Sequence, residues 1–147
     1  MHVNKPAAAI MAAAIAFLIA ALSAQTTRSV WDGVYTDAQA TRGAALFDRE
    51  CAGCHGSEGS GGSMAPAHVG ATFSANYDGQ MVGDLFDRNR TTMPVGKEGG
   101  LSGQQIADIT AYMLQVNKFP AGATELPGQS TPLKVIRYLA DKPADKP

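Results

Sequence analysis

The chain has 147 residues, two cysteines and a formal net charge of −1. That length points to one domain, two cysteines cannot build a disulfide-stapled scaffold, and a near-neutral chain with no basic run lacks the footprint of a nucleic-acid binder. The 45% apolar share hides a split: Ala7 to Ala24 is apolar everywhere except Ser23, while all 16 Gly and seven of the eight Pro come later. Beyond Ala24 the supply of large core side chains is thin, so something besides the polypeptide is expected to complete the core.

In chain order, Met1 to Lys5 is a short basic start, and the apolar run ends on the small residues Ala21-Leu22-Ser23-Ala24. This reads as an export signal (1–24) cleaved near Ala24. An uncleaved membrane anchor is the rival reading, since the run is just long enough to span a bilayer. Either places the rest outside the cytoplasm, in the periplasm. Residues 25–35 read as an extended lead-in containing Trp31. Thr36 and Gln39 form a capping box that opens a helix to about Cys51, with Ala40, Gly43, Ala44 and Phe47 on its apolar face. Gly43 in mid-helix implies close approach of another helix, because it costs about 1 kcal/mol against Ala. Gly56 to Ser63 reads as a flexible loop. A short helix is expected from about Met81 to Arg90. Ser102 and Gln105 form a second capping box, opening a helix to about Asn117 with Ile106, Ile109, Met113 and Val116 buried and Tyr112 beside them. The domain proper is 36–118. A Pro-rich extension, 119–147, follows; Thr131 as N-cap and Pro132 at the first position predict a last helix through Leu139, and Asp141 to Pro147 reads as disordered. No segment reads as a strand, so the expected fold is mainly α with long loops.

Both cysteines lie in Cys51-Ala52-Gly53-Cys54-His55, the pattern for covalent c-type haem attachment. Two thiols add to the two haem vinyl groups, and the following His is placed to bind iron. A dithiol redox pair or half a zinc site are the competing readings. The first would want a strand before it and a helix after it, whereas here a helix precedes and a Gly loop follows. The second needs ligands beyond His68, the one further His or Cys after the apolar run. One covalent haem c is therefore the expected cofactor.

For the opposite face of the iron the sequence offers Met64, Met81, Met93, Met113 and His68. Met113 sits on a buried helix stripe and Met81 at a helix start, so both read as packing residues. Met64 lies close after the attachment site, a position usually on the His side. Met93, in the loop Thr91-Thr92-Met93-Pro94, is the favoured ligand, and a thioether there raises the reduction potential relative to a second His.

The order helix, Cys-x-x-Cys-His, Gly loop, Met-Pro and capped terminal helix resembles class I cytochrome c from about Thr36 to Asn117. The resemblance implies a class I fold of three to four helices and long loops wrapped around one covalently bound haem. It implies a crossing of the first and last helices at Gly43 and Phe47 with Tyr112. Ala65-Pro66-Ala67-His68-Val69-Gly70 is similar to the family's Ala-Pro-x-Leu-x-Gly loop, so the Pro66 carbonyl would accept a hydrogen bond from His55 and orient it. His68 departs from the family's Leu; it reads as a surface-tilted ring near the haem edge, or, more sharply, as a group titrating near neutrality that makes the potential pH-sensitive. Val82-Gly83-Asp84-Leu85-Phe86-Asp87-Arg88-Asn89-Arg90-Thr91-Thr92-Met93-Pro94, with Ala111-Tyr112 and Asn117 to Gly122, looks like the small cytochromes that are subunits or partners of periplasmic dehydrogenases, including quinoprotein (PQQ) dehydrogenases. By the same resemblance Tyr77 and Arg90 would contact the haem propionates; on the residues alone they read equally as a packed aromatic and a solvated helix-end charge.

The expected function is one-electron transfer, without enzymatic activity of its own, between a periplasmic dehydrogenase and a downstream oxidase or cytochrome of a respiratory chain. No nucleic-acid partner is expected, and a membrane only if the N-terminal segment stays uncleaved. A fixed relay subunit of a dehydrogenase complex is the alternative, motivated by the Pro-rich extension; a gas-binding or peroxidase-like haem protein would need Met93 not to bind. Phe47, Phe73, Leu85, Phe86, Ile109 and Met113 are the side chains expected to pack the haem.

Overall fold

The computed structural model describes residues 28–144; the expected export signal and tail residues 145–147 lie outside the described residues. Helix α1 spans Asp37–Glu50 and opens on Thr36, whose hydroxyl oxygen accepts from the Gln39 N–H at 3.1 Å. The Gln39 side chain does not complete the expected capping box. It is fully buried and pairs with the Leu126 backbone in both directions, Nε2 donating to the carbonyl at 2.9 Å and Oε1 accepting from the N–H at 2.8 Å. At the helix end the amide would compete with water, whereas buried backbone groups at Leu126 need partners inside the protein. Helix α5, Gly103–Val116, has the complete capping box, with Ser102 Oγ accepting from Gln105 N and Gln105 Oε1 from Ser102 N.

α1 and α5 form the main helix pair. Gly43 makes this possible: a Cβ there would collide with the Asp108 carbonyl and lie 2.9 Å from Tyr112 Cβ. Arg42 reaches across the pair, its Nε and Nη2 each donating to the Asp108 carboxylate at 3.1 Å and Nη2 to Glu125 at 2.8 Å. The buried surface of α5 is wider than the expected stripe. Ala107, Asp108, Thr110, Ala111 and Leu114 are buried too, while Val116 is only half-buried.

Between these helices lie α2 (Ala52–His55), α3 (Ala71–Tyr77) and α4 (Val82–Thr92). α3 has no counterpart among the expected elements. It opens on Gly70 with no side-chain cap, so it leaves no start signal. α4 runs two residues past the expected end, and Met81 is its N-cap.

The lead-in and the extension depart most from expectation. Arg28–Ser29 (β1) pairs in parallel with Ile136–Arg137 (β2), so strands are present after all. Two-residue strands carry no periodicity from which to read them. The lead-in then turns through a 3-10 segment, Val30–Asp32. The last helix, α6, is Ser130–Leu133 with Gln129 as N-cap, shorter than the expected helix through Leu139. Asp87 of α4 accepts from Ser130 Oγ at 2.7 Å and pairs with Lys134 Nζ at 3.3 Å, and past this anchor the chain is drawn straight into β2. Val30, Leu126, Leu133, Ile136 and Tyr138 are all buried in the common core, so both terminal segments are built into the one domain. Residues 141–144 are exposed coil.

Candidate functional site

α1 ends at Cys51, and the chain turns at once into the single-turn α2, which carries Cys54 and His55. These three side chains border a cavity of about 990 Å³, the upper end of the range for cofactor sites. Helices α1 and α5 give it apolar walls through Phe47, Ile106, Ile109 and Met113; α3, α4 and their link give polar ones through Asn76, Tyr77, Gln80, Asp84 and Arg88.

His55 is buried, and its Nδ1 donates to the Pro66 carbonyl at 2.8 Å. A carbonyl only accepts, so Nδ1 must carry the proton and Nε2 keeps its lone pair for a metal. The Gly loop that brings Pro66 here is tied by backbone hydrogen bonds: Gly61 N donates to His55 O at 2.6 Å, Gly62 N to Ala65 O at 3.0 Å, and His68 N to Gly59 O at 2.7 Å. Gly61 has φ +84°, and a Cβ on it would press to 2.8 Å from Ala67 N.

The Cys51 thiol is pushed up to about 11 by burial, with Glu50 and Cys54 adding to the effect. A dithiol catalyst needs a thiolate stabilised near neutral pH, so this environment disfavours the redox-pair reading. No cluster of metal-ligating side chains is found among the described residues, which leaves the zinc reading without ligands.

Met93, at the C-terminal end of α4, lines the same cavity, as do Tyr77 and Pro66. Met113 also lines it, but its sulfur already accepts from Asn89 Nδ2 at 3.5 Å. Met64 lies at the mouth, 71% exposed. Arg90 is exposed and does not line the cavity; Arg88 does. Arg88 stands four residues after Asp84, and both lie on the cavity side of α4, whereas position 90 is turned away. Leu85 and Phe86, expected against the cofactor, are buried in the core with Val82 and do not line the cavity.

His68 is not a surface-tilted ring. It stacks on His55 with centroids 3.9 Å apart, lies between Phe47 and Phe73, and leaves Nδ1 buried without a hydrogen-bond partner among the described residues. Burial, helped by His55 and Arg88, holds it down to about 4, below the neutral range that the sequence suggested. Its sequence signal, a polar residue where Leu is usual, could not distinguish a wet edge from a half-buried ring stacked on His55.

The donor set fits the haem expected from the motif: two thiols with two residues between them, an imidazole with Nε2 free, a thioether, apolar walls for a macrocycle and an Arg-Tyr end for carboxylates. Comparison with known proteins agrees in kind. A family model for cytochrome c matches residues 40–117, more than half of the chain. Curated proteins give no match. Among solved structures, the sulfane dehydrogenase SoxCD from Paracoccus pantotrophus is similar at 22% identity and a TM-score of 0.46, over 65% of this chain and 55% of that one. The chain thus spans about half the length of that match.

Proposed function

The chain belongs to the cytochrome c family, with the mainly helical class I fold, and on that footing we propose that it is an exported one-electron carrier holding a single haem c between His55 and Met93. When bound, the haem supplies a one-electron Fe(III)/Fe(II) couple. Cys51 and Cys54 hold it covalently. Pro66 fixes the tautomer and orientation of His55, and the hydrogen bond raises the donor strength of Nε2. Met93 supplies a thioether, which favours the reduced iron. Arg88 and Tyr77 take the carboxylates, Arg88 in the place the sequence reading gave to Arg90. Phe47, Phe73, Ile109 and Met113 exclude water.

The observation that carries this reading is the His55–Pro66 bond, which presents a lone pair to a cavity bordered by both thiols and Met93. Exposed Met64 and Val95 at its mouth suit a small, transient interface with a redox partner. The partners we propose are a periplasmic dehydrogenase as donor and an oxidase or second cytochrome as acceptor. The fixed-subunit alternative has less motive, because the extension buries Phe119, Leu126, Leu133, Ile136 and Tyr138 in this chain's own core and exposes Val135.

Mass spectrometry of the exported protein tests the reading: the expected species starts near Gln25 and carries the added mass of one haem, and a mature chain without that mass overturns it. Met93→Ala is expected to lose the weak red absorption band of Fe(III)–thioether ligation and to gain CO binding when reduced. Rapid CO binding by the unmutated protein would rule out Met93 ligation and favour the gas-binding reading.

A further inference from the structure

Helix α3 supplies Phe73 and Tyr77 to the cavity, and the link after it supplies Gln80. It is a poor helix by itself. Seven residues without a side-chain cap are far below the length at which an isolated helix persists. It also packs closely on none of the other helices. Its start is held by Gly70 N donating to Asn117 Oδ1 at 3.1 Å.

Apart from the His68 ring against Phe73, the other long-range ties to α3 and to the link after it come from the strap after α6. Tyr138 N donates to Gln80 O at 2.8 Å, Gly79 N to Tyr138 O at 2.9 Å, and Ala140 N to Asp78 Oδ1 at 2.8 Å. The Tyr138 hydroxyl is hydrogen-bonded to Ser74 Oγ at 3.1 Å. Its ring is 1% exposed and lies against Phe73, Tyr77 and Phe119. Tyr138 does not line the cavity itself; it backs two side chains that do. The strap is in turn pinned by the β1–β2 pairing and by Trp31 Nε1 donating to Leu139 O at 2.9 Å. Lead-in and strap both fall outside the 40–117 segment matched by the family model.

We propose that Tyr138 is a positioning residue for the haem: through Phe73 and Tyr77 it seals the α3 wall against water and thereby raises the reduction potential. This rests on the reading that the cavity holds haem. The apolar shell around a metal site controls solvent access and local dielectric, and these shift the potential. Water favours the oxidised iron, which carries the extra positive charge. A loosened α3 wall therefore lowers the midpoint potential.

The test uses the haem-loaded protein. Tyr138→Leu is expected to lower the midpoint potential and to speed amide exchange along α3, with the red absorption band kept. Tyr138→Phe keeps the ring and drops only the hydroxyl; it is expected to retain the unmutated potential. Leu126→Ala is the control, a buried change on the extension that does not touch α3. It should lower the melting temperature without moving the potential. An unchanged potential in Tyr138→Leu overturns the proposal, as does an equal shift in Leu126→Ala, which would mark general loosening. Should Tyr138→Leu fail to fold, Asp78→Ala, which cuts only the exposed tie to Ala140, is expected to lower the potential by a smaller step, and no shift there counts against the proposal. Absence of covalent haem from the unmutated protein would instead sink the parent reading.

Discussion

Tyr35 joins the lead-in to the end of α5. Its hydroxyl donates to the Phe119 carbonyl at 2.6 Å, and its own carbonyl accepts from Gly122 N at 2.6 Å. Burial, with the Asp37 charge adding, pushes the phenol up to about 12 from about 10. The folded value lies above the unfolded one, so its share of stability is whole below about pH 10 and is lost as pH rises through about 12. Tyr35→Phe is expected to cost about 1–3 kcal/mol near neutral pH, because a buried carbonyl loses its donor. It should also flatten the alkaline loss of stability between those two pH values. Urea melts across that range check both, and an unaltered slope would show that other tyrosines dominate it. The same scale explains what could be read of the site. Cys51, Cys54 and His55 form a pattern that attachment chemistry demands at short sequence range, whereas the role of Pro66 followed from the family resemblance. Arg88 rather than Arg90 at the cavity, and Leu85 and Phe86 buried away from its lining, depend on the rotational phase of α4, which the sequence left open to within a residue or two.

At the scale of elements, α1 and α5 were legible because each carries its own start signal and an apolar stripe, and because Gly43 betrays the crossing. Gly43→Ala puts a methyl into the Asp108 carbonyl, which is backbone and cannot swing aside. The gain in helix propensity is about 1 kcal/mol, and forcing the pair apart costs about 1–3 kcal/mol. Arg42 lost from its fork on Asp108 as the helices separate would add to the cost. We expect net destabilisation of about 1–2 kcal/mol, read as a lower denaturant midpoint at unchanged slope. A stabilised variant, as at an ordinary exposed helix glycine, would mean the helices can slide. α3, β1 and β2 were illegible for one shared reason: they exist through contacts with segments far away in the chain. Ser74 meets Tyr138, and Arg28 meets Ile136. Gln39 makes the same point from the other side. Three residues after a Thr it looked like a local cap, and a partner 87 residues away claims it instead.

For the molecule as a whole, the thin apolar supply beyond Ala24 now has a location. The lead-in and extension add Val30, Leu126, Leu133 and Ile136 to the one core. Other members of that core, Phe47, Phe73, Ile109 and Met113, line the cavity of about 990 Å³, a space that the chain itself does not fill. A domain's net stability is about 5–15 kcal/mol, and emptied apolar volume destabilises at about 24 cal/mol per Å³ where the walls cannot collapse. Between about a fifth and two thirds of this cavity left apolar and empty would consume that margin. The walls must therefore collapse, flood or be filled, and the first two break the contacts that hold α3 and the His55–Pro66 bond. A Cys51→Ala/Cys54→Ala protein made without haem is accordingly expected to show reduced helicity by circular dichroism and a broad, uncooperative melt. The α1–α5 pair has its own contacts at Gly43 and its own ion pair, so amide protection should persist there longest and vanish first in α2 and α3. A haem-free protein with native helicity and a sharp melt would show that the lead-in and extension supply enough core by themselves, and the cofactor would then be a passenger in the fold rather than part of its interior.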